Sequence, residues 1–154
     1  MTDSRTSAHP TQLGMIGLGR MGASMVRRLM ADGHDCVVYD LSPPFVDALV
    51  ADGATGSSDL AGFVGALAAP RSVWIMVPAA FVDDTIGKLT ELLEPGDTII
   101  DGGNSHYHDD IRRAGELATK GITYLDVGTS GGVFGLERGY CLMIGGAQES
   151  VDRL

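Results

Sequence analysis

Two cysteines in 154 residues cannot build a disulfide framework, and so few thiols suit a reducing cytoplasm. Cys36 and Cys141 each stand in an apolar run, CVVY and YCLMI, where a buried thiol acts as a small hydrophobe. Basic side chains are scarce as well: 11 Lys and Arg against 20 Asp and Glu leave a formal charge of −9. Such a chain is repelled by a phosphate backbone or an anionic bilayer, so neither nucleic acid nor a membrane surface is expected as a partner. A small anionic ligand is still admissible, because backbone amides at a helix N-terminus attract phosphate locally. No apolar run approaches the ~20 residues that span a bilayer. Residues 1–11, MTDSRTSAHPT, lack the apolar stretch of a signal peptide and read as a flexible leader with His9 exposed. Neither a Ser/His/Asp order nor a metal-ligand spacing is present. His106 and His108, flanking Tyr107 beside Asp109 and Asp110, read as solvated helix-start residues.

Glycine, by contrast, is abundant, at 22 of 154 residues in an otherwise ordinary globular composition. The length suits one domain that buries ~70% of its unfolded surface. From Gln12 onward, short β-rich apolar runs alternate with segments of helical period, the pattern of parallel strands joined by right-handed helical crossovers. Strands are predicted at 13–17, 35–40, 72–77, 98–101, 123–127 and 141–144. Their runs (VVY, VWIMV, TII, YLDV, CLMI) are mostly continuous, as in strands covered on both faces. Helices are predicted at 20–32, closed by Gly33; at 45–51, opened by Pro43 and Pro44; at 59–67, capped by Asp59; at 81–93, before Pro95 and Gly96; and at 107–119. Residues 147–154, AQESVDRL, read as the first turns of a helix without a stop signal. The chain is therefore expected to be the N-terminal portion of a longer protein.

The segment MIGLGRMGASMVRRL sets Gly17-x-Gly19-x-x-Gly22 directly after an apolar strand and directly before an amphipathic helix, the context that gives this spacing its meaning. Gly17 suits the tight turn, Gly19 the approach of a pyrophosphate to the backbone, and Gly22 the close packing of helix on strand. Asp40 closes the second strand near the ~20-residue spacing at which an acid accepts hydrogen bonds from the adenosine ribose. The pattern predicts a Rossmann-type, doubly wound α/β domain over 12–154, with a mainly parallel sheet and helices on both faces. Glycines used only for packing, with Asp40 as a turn or capping residue, remain the alternative. A carboxylate repels a 2′-phosphate unless an arginine lies beside it, and Leu41-Ser42-Pro43 bring none, so NAD is favoured over NADP.

Ligands of open α/β sheets bind beyond the carboxyl ends of strands. Three later loops there are unusual: Val77-Pro78-Ala79, Gly102-Gly103-Asn104-Ser105 and Thr129-Ser130-Gly131-Gly132. Asn104 offers both an amide donor and a carbonyl acceptor. GGNS can also be a turn plus the N-cap of the next helix, and Ser130-Gly131 can be turn chemistry.

The runs GLGRMG, MVPA, DGGNS and DVGTSGGVFGLERGYCLMIGG resemble the decarboxylating 6-phosphogluconate dehydrogenases, in particular their shorter, often NAD-using branch, within the β-hydroxyacid dehydrogenase superfamily. The resemblance covers 13–154. It implies that Gly17, Leu18, Gly19, Arg20, Met21, Gly22, Asp40, Leu41, Val77, Pro78, Ala79 and Asn104 line the cofactor site. It further implies that Asn104, Ser130, Gly131 and Gly132 bind 6-phosphogluconate. In that family the sugar acid is oxidised at its C3 hydroxyl by hydride transfer to nicotinamide, then loses carbon dioxide to give ribulose 5-phosphate without a metal. Enzymes of the 3-hydroxyisobutyrate type share the Ser-Gly-Gly turn but usually lack an asparagine in a DGGNS run. The family's general base is a lysine and its acid a glutamate, both in a helical domain that follows. Lys88 and Lys120, the two lysines here, fall on the helix at 81–93 and at the end of that at 107–119, away from the ligand loops. The chain alone is thus expected to bind cofactor without turning over, and the complete protein to be a cytoplasmic homo-oligomer. A freestanding nucleotide-sensing domain is the competing reading.

Overall fold

Apolar strands hidden on both faces need helices on both sides, and right-handed crossovers supply them when the order of strands reverses once. The computed structural model describes residues 10–154. Strand β1 (Gln12–Ile16) pairs in parallel with β2 (Asp35–Tyr39) on one side and β4 (Ser72–Ile75) on the other. The sheet then extends to β3 (Thr55–Gly56) beyond β2, and to β5 (Thr98–Asp101), β6 (Thr123–Ser130) and β7 (Cys141–Gly145) beyond β4. Its order is β3-β2-β1-β4-β5-β6-β7. Only β7 runs antiparallel, with Ser130 opposite Cys141.

Helices α1 (Arg20–Ala31) and α2 (Pro43–Ala51) cover one face, and α3 (Leu60–Gly65), α4 (Val82–Thr90) and α5 (Tyr107–Ala118) the other. Because successive strand residues point to opposite faces, the strands feed two cores. Ile16, Val37, Val73, Ile75 and Ile99 join Phe63, Ile86, Leu89 and Leu117 in one. Met15, Val38, Trp74, Ile100 and Leu125 join Met25, Val26 and Leu49 in the other. Phe63 alone, fully buried, contributes about 2 kcal/mol by its removal from water. The helix boundaries follow their local signals. Gly33 ends α1 at φ +90 while His34 N–H donates to Leu29 O, and Asp59 Oδ1 accepts from Gly62 N at 2.6 Å.

Several boundaries differ from expectation. Gly17, Asp40 and Val77 lie just beyond their strands, β6 runs on to Ser130, and α4 spans Val82–Thr90 after a 3-10 turn at Ala79–Phe81. The loop after β6 contains a 3-10 turn (Gly132–Phe134) and the four-residue α6 (Gly135–Arg138), and α7 (Gln148–Arg153) closes the described chain. The run CLMI is not covered on both faces, since all five residues of β7 are exposed at the edge of the sheet. Cys141 is accordingly exposed, against the expectation of a buried thiol. Cys36 is buried, and burial pushes its thiol up to about 11. The leader and His9 fall outside the described residues, except that Thr11 N–H donates to His34 Nδ1 at 3.1 Å and Asp35 N–H to Thr11 O. Among the described residues, no helix is long and apolar enough to cross a membrane.

Candidate dinucleotide site

Where adjacent strands lead to crossovers on opposite faces, the loops at their carboxyl ends part and leave a crevice. Here that point lies between β1 and β4. Gly17 takes φ +92, donates its N–H to Tyr39 O at 3.1 Å, and would carry a Cβ only 2.5 Å from Met76 O. Gly22 lets α1 descend onto this turn, because a Cβ there would lie 2.0 Å from Gly17 O. The fold itself therefore demands both glycines.

Gly19 is different. Its φ of −64 is open to any residue, and a Cβ built on it meets nothing within 4 Å. As N-cap of α1 it brings no capping side chain, and the first helical turn holds no acidic residue. Among the described residues, the N–H groups of Gly19, Arg20, Met21 and Gly22 donate to no protein acceptor. Four donors without a protein acceptor thus gather at the positive end of a 12-residue helix, with open space beside Gly19.

Asp40, half-buried, accepts from Leu18 N through Oδ2 at 2.7 Å and from Ser42 N through Oδ1 at 2.8 Å. It is a turn residue that also fastens β2 to the glycine loop. Each oxygen retains capacity for a further donor, so the turn role and a ligand role are compatible. Leu41, 89% exposed, follows it.

Val77 Cγ1 would lie 3.1 Å from a Cβ on Gly17, and a Cβ on Gly103 would come 2.9 Å from Val77 O. The segment from Val77 to Ala79 is thereby held between the two glycine loops. Asn104 is exposed at φ +55, the one non-glycine residue among those described with positive φ, and its side chain makes no hydrogen bond within the described chain. Ser105 Oγ donates to Asp101 Oδ2 at 2.5 Å. The N-cap of α5 is instead His106, whose Nδ1 accepts from His108 N at 3.4 Å. GGNS is therefore a clamped turn rather than a turn plus cap.

Ser130 ends β6, next to β5 and parallel to it, so its turn emerges at the same end of the sheet as Asn104. No hydrogen bond joins them among the described residues. Gly131 lies against the Tyr140 ring, and Arg28 of α1 donates to Leu136 O at 3.1 Å, docking this excursion on α1. Lys88 pairs with Asp84 at 2.7 Å on the exposed side of α4, and Lys120 is exposed beyond α5. His106 and His108 are exposed and stacked on each other, with ring centroids 5.2 Å apart. No group of three His, Cys, Asp or Glu among the described residues could hold a metal. The residue that sequence reasoning missed is Arg113, buried behind the Asn104 loop. In an arginine pair on an amphipathic helix it carries no local signal of burial.

The sequence pattern of the family described as the NAD binding domain of 6-phosphogluconate dehydrogenase matches residues 12–154. This chain belongs to that family. A 6-phosphogluconate dehydrogenase of Haloferax volcanii, NAD(+)-dependent and decarboxylating, is 44% identical over 144 residues, 93% of this chain and 47% of that protein. The enzyme of the same name from Bacillus subtilis is 42% identical over 146 residues, 92% of this chain and 31% of its own length. The chain spans about half the length of the former and about a third of the latter. Among solved structures, a 6-phosphogluconate dehydrogenase of Plasmodium falciparum, studied with NADP+ and with 6-phosphogluconate, superimposes with TM-score 0.85 at 29% identity, over 92% of this chain and 32% of that one. A 3-hydroxyisobutyrate dehydrogenase of Mycobacterium tuberculosis matches with TM-score 0.85 at 25% identity, over 94% and 50%. The membership agrees with the fold expected from the glycine turn and with a domain built for a nicotinamide dinucleotide.

Proposed function

We propose that this domain holds NAD as the cofactor half of a 6-phosphogluconate dehydrogenase. The reading rests above all on Gly19, which neither packing nor backbone conformation requires, and whose N–H, like those of Arg20, Met21 and Gly22, meets no acceptor among the described residues. An approaching pyrophosphate is the remaining reason for a residue without a side chain there. The N–H groups of Gly19, Arg20, Met21 and Gly22 hold the diphosphate, with Leu18 buried beneath. Asp40 accepts from the adenosine ribose hydroxyls, Leu41 lies beside the adenine, and a 2′-phosphate would meet the carboxylate, which favours NAD. Val77, Pro78 and Ala79 underlie the other half of the molecule.

When bound, NAD supplies the acceptor for a hydride leaving the substrate's carbinol carbon. Asn104, Ser130, Gly131 and Gly132 orient 6-phosphogluconate against it by hydrogen bonds. The general base and acid come from the part of the relatives' length that this chain does not span. The chain by itself binds cofactor and does not turn over, while the complete protein works as a cytoplasmic homo-oligomer. The presence of Asn104 in DGGNS supports a sugar acid over 3-hydroxyisobutyrate.

Titration with NADH and NADPH, followed by nucleotide fluorescence, tests the cofactor assignment. Saturable binding with NADH the tighter ligand is expected, and tighter NADPH binding overturns the preference. Addition of 6-phosphogluconate, but not 3-hydroxyisobutyrate, should perturb the bound NADH signal. The reverse response would point to the other branch of the superfamily.

A further inference from the structure

One buried guanidinium ties together the two loops that flank the crevice on its β4 side. Arg113 of α5 is 3% exposed. Its Nε donates to Asp83 Oδ1 at 2.8 Å, in the first turn of α4, which continues the segment that begins at Val77. Its Nη1 reaches Asp110 Oδ1 at 3.3 Å and Asp101 Oδ2 at 3.4 Å. Between those carboxylates sits the Tyr124 hydroxyl, 2.8 Å from Asp110 Oδ1 and 2.9 Å from Asp101 Oδ2. Burial, with both acids nearby, raises its pKa, so it remains a hydrogen donor.

Asp101, fully buried at the end of β5, directs both oxygens at the loop. Oδ1 accepts from Gly103 N at 2.8 Å, and Oδ2 accepts from Ser105 Oγ. The residues on both sides of Asn104 are thus fastened to one carboxylate, while Asn104 itself keeps a left-handed conformation that asparagine adopts more readily than other side-chain-bearing residues. Buried ion clusters are a poor source of net stability, because desolvation offsets much of their attraction. The cluster is better understood as fixing geometry.

We propose that Arg113 and Asp101 are positioning residues that hold Asn104 and the Val77-Pro78-Ala79 segment as one rigid floor for the nicotinamide half of the dinucleotide. This rests on the dinucleotide reading above. With the diphosphate at the N-terminus of α1 and the adenosine toward Asp40 on the β2 side, the remaining half extends over β4 and β5. There the exposed amide of Asn104 offers a donor and an acceptor to a planar carboxamide.

The test compares the affinities of this chain for NADH and for ADP-ribose, which keeps the adenosine and diphosphate but has no nicotinamide. Ser105→Ala removes one tie beside Asn104. It should weaken NADH about 5-fold, the effect of one lost hydrogen bond, and leave ADP-ribose unchanged, with Ser105→Thr restoring NADH binding. Arg113→Met should act in the same sense and more strongly. If that variant does not fold, Ser105→Ala decides. Equal losses for both ligands, or unchanged NADH affinity in Ser105→Ala, would overturn the positioning role. Failure of the unaltered chain to bind ADP-ribose at all would instead remove the dinucleotide reading, and this proposal with it.

Discussion

The glycine-rich loop after β1 and the glycine-rich loop after β5 stand at the same end of the sheet and are built on opposite terms. After β1, α1 begins without a side-chain cap, and the N–H groups from Gly19 to Gly22 meet no acceptor among the described residues. After β5, the buried Asp101 takes up Gly103 N and Ser105 Oγ, and the exposed side-chain amide of Asn104 has no hydrogen bond among the described residues. The first loop presents a run of backbone donors, which suits a polyanion. The second presents a donor and an acceptor on a rigid stem, which suits a neutral carboxamide or a hydroxyl. Glycine content marks where the backbone turns sharply, whereas the disposition of hydrogen bonds decides what each turn can hold.

The largest effect that could break this contrast belongs to Gly22→Ala. Its new Cβ would meet the Gly17 carbonyl, backbone that cannot give way, so α1 must lift. A loss of about 3 kcal/mol in urea unfolding and the abolition of NADH binding are expected. Gly19→Ala separates the two quantities, since its Cβ enters empty space. Stability should stay within about 0.5 kcal/mol while NADH affinity falls about 10-fold or more, equivalent to about 1.4 kcal/mol. Unchanged affinity would mean that no ligand approaches there.

Asn104 sharpens the other side of the comparison. Asn104→Ala should cost about 1 kcal/mol of stability through its left-handed backbone, and Asn104→Gly should not. Both should abolish the response of bound NADH to 6-phosphogluconate, as followed by fluorescence. The smallest effect concerns Asp126. Burial, reinforced by Asp110 and Asp101, raises its carboxyl pKa. The folded state therefore holds that proton more tightly than the unfolded state, and the contribution is lost as pH rises through the carboxylate range. Asp126→Asn should flatten this fall, so its urea midpoint relative to the unaltered chain should rise from acid to neutral pH.

The glycine turn and Asp40 were legible because their signal is local: a strand, three glycines and an acid at fixed spacing. The two-residue β3 was not, since its identity lies in pairing with Val37 and Val38 and not in its own residues. The reversed direction of β7 had a readable cause that composition concealed. A parallel return needs a crossover of a dozen or more residues, and the stretch from Gly131 to Tyr140, with only a 3-10 turn and α6 inside it, is too short. Apolar content alone made CLMI look enclosed, whereas an edge strand can keep such residues exposed. Arg113 was unreadable for a different reason: it meets Asp83 from 30 positions away, and nothing in IRRAGEL separates a buried arginine from a solvated one.

Strand β1, the earliest strand of the described chain, occupies the interior of the sheet and pairs with β2 and with β4. A nascent chain that has emerged through β2 can satisfy only one edge of β1, and the other stays open until Ser72–Ile75 has been synthesised. Vectorial production therefore leaves one apolar edge of β1 unpaired for a defined interval. For the same reason, a deletion reaching past Thr11 would remove the spine of the sheet rather than trim its margin.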